Sequence, residues 1–302
     1  MKKSMLFATF LLMLMAMLTG CSSGPDYTIK VTKELYYQQN TAAPFEIKVT
    51  EGKKAVKGLA VSAEFSMANM DHGTTDVKLA EGKDGTYSGN VALPMSGKYE
   101  VAFRMEKDGV KSEKVIEINV VKAKGVATIN GEWITNEDLA FYQLVNRLQL
   151  AINRETAQQK YTGKQLEEEL AYLDSQEKIS NDKNQLLTQI IRLRSMAMLA
   201  DEKGHKAADT EVNAAVSKAR EQYNGFPSAK KLISDYGEDK FWATEKQQYK
   251  LIVLSRKVQE DVVAQVQKEN PQAGEQDVLY QAQQKYEELL VSQVNSLKIE
   301  IL

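Results

Sequence analysis

The segment GVATINGEWIT (residues 125–135) divides the chain into a part predicted to be β-structure and a part predicted to be helical. Val126, Thr128 and residues 133–135 favour extended backbone, and Asn130-Gly131 is the dipeptide typical of a type I′ turn. Thr135 is a residue type that caps the start of a helix well. The segment therefore predicts a short hairpin that leads directly into a helix.

The composition of the chain excludes some classes of protein. Its 302 residues are 43% hydrophobic and 26% charged, which is enough material for two folded cores. The formal net charge is −2, and no stripe of basic residues with interleaved aromatics occurs. We therefore expect a multidomain protein with no nucleic-acid partner.

The N-terminus has the layout of a bacterial secretory signal. Lysines precede an apolar run over residues 5–18, which ends in LTGC at residues 18–21. This ending resembles a lipobox, in which the cysteine becomes the lipidated first residue of the mature protein. We expect a signal peptide over residues 1–20, a lipidated tether over residues 21–26, and anchoring of Cys21 at the extracytoplasmic face of the cell membrane. The alternative is a secreted protein that is cut nearby and keeps a free cysteine.

Residues 27–122 show the pattern of an all-β domain. Runs of β-forming residues are separated by polar, glycine-containing turns at spacings of about ten residues. Tyr99, Val101 and Phe103 alternate with polar residues, so one face of that strand is expected to be core. The pattern predicts an immunoglobulin-like β-sandwich. The seven predicted strands lie at residues 27–32, 45–50, 59–65, 75–79, 86–93, 98–105 and 115–121.

Three short motifs in this domain occur in a characteristic order. Residues 67–72 fit the pattern M-x-x-M-x-H, residues 85–89 fit G-x-Y-x-G, and residues 94–99 fit P-M-x-G-x-Y. This order resembles the YtkA-like, FixH-related domain, and the resemblance covers most of the β domain.

The methionines and the histidine of these motifs are candidate ligands of a copper site. Thioether sulfur and imidazole are ligands that suit copper, especially Cu(I). The candidate ligands are Met67, Met70, His72 and Met95. The alternative is that the methionines fill gaps in the core while His72 and Gly73 turn the chain.

Residues 125–302 are predicted to be mostly helical. Asp138 follows Thr135 at the spacing of a capping box, and apolar residues then recur at helical spacing. Residues 297–302 alternate instead, and we expect them to pair with residues 126–129 and close the domain with a small terminal β-sheet. The predicted helices lie at residues 135–152, about 166–173, 182–203, 209–223, 228–236, 238–267 and 275–296.

Residues 126–135 and a set of positions in the helices that follow occur in a characteristic order. These positions are Leu187, Ile191, Met196, Ala200, Gly204, Asp209, Glu211, Val212, Ala215, Tyr236, Gly237 and Trp242. In this order the helical part resembles the N-terminal chaperone domain of SurA and of PrsA-like foldase lipoproteins over residues 125–260. The resemblance implies a SurA-like domain that holds unfolded or secreted polypeptides. Those foldases insert a parvulin prolyl isomerase domain after the long helix, whereas only residues 268–274 are available here. We therefore expect no isomerase activity.

The large apolar residues of the helical part are candidates to bind polypeptide. A concave surface of apolar and methionine side chains can bind extended chains with broad specificity. The alternative for each residue is that it is ordinary core. The candidates are Met196, Met198, Phe226, Phe241, Trp242 and Tyr249.

The chain carries no motif that indicates catalysis. It has two histidines and one cysteine, and it lacks a phosphate-binding glycine loop, H-E-x-x-H and G-x-S-x-G. His205 follows a predicted helix end and is expected to be a benign charge there. We expect a lipid-anchored chaperone or peptide-binding protein that is not an enzyme and needs no cofactor. The alternatives are a copper-handling lipoprotein and a purely structural or docking lipoprotein.

Overall fold

The structure is a computed structural model, and it describes residues 25–68 and 73–302. The chain divides into two compact units, one ending at Ala123 and one spanning Lys124–Ile301. We call them the β unit and the helical unit. Within the described residues, no helix has the length and apolar character needed to cross a membrane.

The β unit is a single curled sheet. Its strands follow the order β1-β3-β7-β6-β5-β8-β9-β2, and β4 pairs with β3. The seven predicted strands are all present; β2 and β4 were missed because two residues are too few to show alternation. The strands are β1 (Tyr27–Lys33), β2 (Tyr36–Tyr37), β3 (Ala43–Glu51), β4 (Lys54–Ala55), β5 (Ala60–Met67), β6 (Thr74–Glu81), β7 (Thr86–Val91), β8 (Gly97–Lys107) and β9 (Val110–Lys122).

An aromatic core lies inside this sheet. Phe45 meets Phe65 edge to face at 5.2 Å between ring centroids and stacks on Phe103 at 6.2 Å. The buried Tyr87 hydroxyl donates to the Val56 carbonyl at 3.1 Å and accepts from the backbone N–H of Leu59 at 3.2 Å. The inward residues of the predicted strands therefore form one core.

The helical unit begins with the hairpin that the sequence predicts. Strand β10 (Ala127–Ile129) pairs with β11 (Glu132–Ile134), and Asn130 and Gly131 between them have φ of 50° and 86°. Both turn residues thus have the positive φ that a type I′ turn requires. The Thr135 hydroxyl accepts from the Asp138 N–H at 3.0 Å, and the Asp138 carboxylate accepts from the Thr135 N–H at 2.7 Å. The predicted capping box is therefore confirmed.

Seven helices and one strand follow among the described residues. The first helix extends past the predicted end, because Ile152 and Ala157 are buried and the half-buried Arg154 and Glu155 between them bond to Asp174 and Ser228 farther along the chain. The elements are α1 (Asn136–Lys160), α2 (Gly163–Ser180), α3 (Lys183–Glu202), α4 (Asp209–Asn224), α5 (Pro227–Tyr236), α6 (Glu238–Glu269), α7 (Glu275–Ser296) and β12 (Ile299–Ile301).

The last strand returns to the first strand of this unit. Strand β12 pairs antiparallel with β10 in the register Ala127 to Ile301 and Ile129 to Ile299. Strand β10 is therefore the central strand of a three-stranded sheet, with β11 on one side and β12 on the other. The predicted closure of the unit by its own chain ends is confirmed.

Candidate functional site

The helical unit contains a cleft of about 780 Å³. Strand β11 and helices α1, α3 and α6 supply its walls, so the closure of the unit and the packing of its longest helix together form it. We call it the helical cleft. It is lined by Glu132, Asp138, Arg194, Ala197, Met198, Asp201, Ala243, Thr244, Gln247, Gln248, Lys250 and Leu251.

Arg194 holds one end of the helical cleft in place. Its guanidinium donates to the Trp133 carbonyl at 2.8 Å and forms an ion pair with Asp138 at 2.8 Å. Asp138 also caps α1 through Thr135. Because both charged side chains are largely buried and bonded to the backbone, this end of the cleft is preorganised.

The middle of the helical cleft combines amide and apolar groups. The Tyr142 hydroxyl donates to the Gln248 side-chain carbonyl at 2.9 Å, which fixes one glutamine of the wall. Gln247 is exposed, whereas Met198 and Leu251 are half-buried. Amide side chains can bond to the backbone of an extended chain, and the thioether and leucine side chains can contact its apolar side chains.

The predicted polypeptide-binding residues lie in different places. Met198 lines the helical cleft, whereas Met196 is 1% exposed and packs in another core cluster. Phe241 is 0% and Trp242 is 8% exposed, and Phe226 and Tyr249 are half-buried against the same apolar cluster. Met198 is thus the one candidate of the six that the structure places in the helical cleft.

Four buried aromatic rings and the ring of Tyr236 form a tightly packed group. Phe241 lies 4.9 Å from Trp242, 5.6 Å from Phe141 and 6.1 Å from Tyr223, measured between ring centroids. We call Phe141, Tyr223, Tyr236, Phe241 and Trp242 the aromatic cluster. Helices α1, α4, α5 and α6 each contribute to it, so it joins four elements of the helical unit.

A carboxylate is buried beside this cluster. Glu245 is 4% exposed, and no hydrogen bond or ion pair to it occurs among the described residues. Burial raises the pKa of Glu245 from 4.5 to about 7. One turn earlier, the buried indole N–H of Trp242 also has no acceptor in the described part of the chain. A buried carboxyl without a partner is costly to ionise and is unusual in a folded core.

Two of the predicted copper ligands lie at one end of the β unit. A Cβ added at Gly97 would lie 2.7 Å from Met67 Cε, so the thioether of Met67 covers that glycine. Gly97 ends the turn that carries Met95, and the Tyr99 hydroxyl fixes this turn by donating to the Met95 carbonyl at 2.8 Å. Met67 and the Met95 turn are therefore brought together.

The remaining predicted site residues lie outside the described residues. These are Cys21, Met70 and His72. In the ranges that the structure does describe, no three histidine, cysteine, aspartate or glutamate side chains are grouped to hold a metal ion. His205 Nε2 lies 2.7 Å from Asp261 Oδ2 on α6, a pairing across 56 residues that the sequence does not indicate.

Sequence reasoning missed most of the helical cleft and the buried carboxylate. Arg194, Gln247 and Gln248 look like ordinary solvated positions of amphipathic helices, and Glu245 lies within the polar run TEKQQ. The sequence does contain an indication that Glu245 is buried. Glu245 lies three residues after Trp242 and four after Phe241, and therefore on the same side of the helix as these two aromatic residues.

Comparison with known proteins identifies part of the chain. Residues 23–104 match a family model described as YtkA-like, so the chain carries a YtkA-like domain within its N-terminal part. A search of curated proteins finds no match to the chain.

Proposed function

We propose that this protein binds unfolded or secreted polypeptides outside the cytoplasm and acts as a membrane-anchored chaperone without catalysis. The observation that carries the proposal is the helical cleft, in which exposed Gln247 and half-buried Gln248 lie beside half-buried Met198 and Leu251. Such a surface suits extended chains of varied sequence, because amides bond to backbone and flexible apolar side chains adapt to different partners.

Two further features support the proposal. Resemblance to the SurA-like chaperone domain implies a unit closed by its own terminal strand, and β12 pairs with β10 in this way. Only residues 270–274 connect α6 to α7, where PrsA-like foldases insert their isomerase domain. We therefore propose a SurA-like domain without prolyl isomerase activity.

The proposal also includes an N-terminal lipid anchor and a fold for the β unit. The signal-like residues 1–20 and Cys21 favour lipidation and attachment to the extracytoplasmic face of the cell membrane. We also propose that the β unit, whose curled sheet encloses one aromatic core, belongs to the immunoglobulin-like class.

Replacing Met198 and Leu251 together with glutamine is expected to weaken polypeptide binding about thirtyfold. Each substitution removes an apolar contact worth roughly 1 kcal/mol to a bound chain, and the two contacts together account for the change. The measurement is the dissociation constant for a fluorescent, permanently unfolded polypeptide, together with suppression of the aggregation of a client diluted from denaturant.

The matched control is Leu279→Gln, which changes a leucine that is 52% exposed on α7, outside the helical cleft. It should leave both measurements unchanged. Equal binding by the double variant and the original protein, with both folded by circular dichroism, would assign binding to another surface. Absence of any binding by the original protein would favour a structural or docking lipoprotein.

A second candidate function is copper handling by the β unit. The contact of Met67 with Gly97, beside the Met95 turn, favours it because two thioethers then lie near one end of the unit. The segment with Met70 and His72 follows β5 directly in the sequence and could add the other ligands.

Replacing Met70 and His72 together with alanine is expected to abolish stoichiometric uptake of Cu(I). The reason is that the remaining two thioethers are too few soft ligands for tight binding. Uptake is measured by competition with a chromogenic Cu(I) chelator under reducing conditions. Met105→Leu, a change at a methionine that is 2% exposed in the core, is the control and should retain uptake. Uptake unchanged by the double alanine variant would exclude this site.

A further inference from the structure

Glu245 occupies a position where a charge is poorly tolerated. It lies on the inner side of α6, one turn after Phe241 and Trp242, and is 4% exposed. Its carboxylate takes part in none of the hydrogen bonds or ion pairs of the described residues, and the buried indole N–H of the neighbouring Trp242 has no acceptor there. The protonated carboxyl fits such a site, whereas the carboxylate would have to be solvated or paired to be stable.

No basic side chain on the elements packed around Glu245 compensates the negative charge of its carboxylate. The groups that interact with it electrostatically are tyrosines: Tyr142 on α1, Tyr223 on α4 and Tyr249 on α6 itself. Arg194 on α3 is held by Asp138 and the Trp133 carbonyl. Two further basic groups near the cluster are engaged with aromatic rings: Arg220 on α4 lies 4.5 Å from the Trp242 ring centroid, and Lys240 on α6 lies 4.7 Å from that of Tyr236 on α5.

The same turn of α6 separates Glu245 from the helical cleft. Thr244, Gln247 and Gln248 line the cleft, while Glu245 between them points to the buried side. Tyr142 connects the two sides, since its hydroxyl donates to Gln248 and its ring lies close enough to Glu245 to be affected by its charge. A shift of α6 relative to α1 would therefore change both the aromatic cluster and the wall of the cleft.

We propose that Glu245 is a pH-sensitive switch: when protonated it lets α6 pack on the aromatic cluster, and when ionised it loosens that packing and exposes apolar surface to polypeptide. The last step rests on the proposed function. The first step concerns the helical unit alone and can be tested without any client.

The direction of the effect follows from the pKa of Glu245. Its value of about 7 in the folded chain is above the ordinary 4.5, so the folded state holds the proton more tightly than the unfolded state does. The stabilisation is complete below the ordinary value and is lost as the pH rises through the folded value. The unfolding equilibrium constant should therefore rise about 70-fold from this group between about pH 5 and about pH 8.

The first experiment measures urea unfolding of the whole protein across this pH range for the original chain and for Glu245→Gln. The neutral amide has nearly the same shape, so the variant should lose this part of the pH dependence, about 70-fold in the equilibrium constant. Glu245→Leu, which removes the polar group, should also lose it. Glu288→Gln, at an exposed position on α7, is the control and should keep it.

The second experiment reports on the exposed surface. Binding of a fluorescent apolar dye and quenching of tryptophan by acrylamide should both increase from about pH 5 to about pH 8 in the original chain and stay nearly constant in Glu245→Gln. Client protection should follow the same pattern. Identical pH profiles for the two chains in unfolding and dye binding would overturn the switch. A switch that operates in both assays while no client binds at either pH would overturn the proposed function alone.

Discussion

Replacing Phe241 with alanine is expected to lower the free energy of unfolding of the helical unit by about 4 kcal/mol. Phe241 is 0% exposed and contacts four other rings, which come from α1, α4, α5 and the next residue of α6. Removing its ring leaves a cavity between four helices that cannot collapse without moving all of them. Urea unfolding at about pH 6, followed by ellipticity at 222 nm, measures the loss.

The control for this change is Tyr172→Ala on α2, which truncates an aromatic residue that is 57% exposed. It should change stability by less than about 0.5 kcal/mol, as is usual for surface substitutions. A loss below about 1 kcal/mol for Phe241→Ala would mean that the ring is dispensable for packing. Phe241 would then again be a candidate residue for binding polypeptide.

Helical periodicity alone does not predict whether Phe241 lies in the core or on a binding surface. The helical pattern places Phe241 and Trp242 on an apolar side of α6, but an apolar side can be core or binding surface. Helix α6 packs against α3, α4, α5 and α7 at different points along its 32 residues, and no local pattern records which partner covers which turn. For the same reason the sequence does not distinguish Met198, in the helical cleft, from the buried Met196.

Local signals were sufficient where one short segment determines the structure. The hairpin before Thr135 depends on a two-residue turn and a capping box, and both are read directly from residue types at fixed spacing. The ion pair of Arg194 with Asp138 and the pairing of His205 with Asp261 depend instead on tertiary placement. The walls of the helical cleft belong to this second class, so the site could not be assembled from the sequence.

Deleting residues 297–302 is expected to lower the free energy of unfolding of the helical unit by about 4 kcal/mol. Strand β12 provides the pairing of β10 on one side, and Leu297 and Ile299 pack against the apolar residues of the hairpin and α3. The deletion also removes two hydrogen bonds of Asn130, one to the Lys298 carbonyl at 2.8 Å and one from the Lys298 N–H at 2.9 Å. Both tryptophans, Trp133 and Trp242, lie in this unit, so fluorescence during urea unfolding reports on it selectively.

Two single substitutions in β12 distinguish the effect of lost packing on stability from the effect of shortening the chain. Ile299→Asp places a charge at the half-buried position opposite Ile129 and should cost most of what the deletion costs. Ile301→Thr changes a residue that is 53% exposed in the same strand and should cost less than about 1 kcal/mol. Because β11 supports one wall of the helical cleft, the deletion and Ile299→Asp should also weaken polypeptide binding, whereas Ile301→Thr should not. Full stability without residues 297–302 would mean that α1 and α3 hold the hairpin without β12, and the terminal strand would then have no part in forming the cleft.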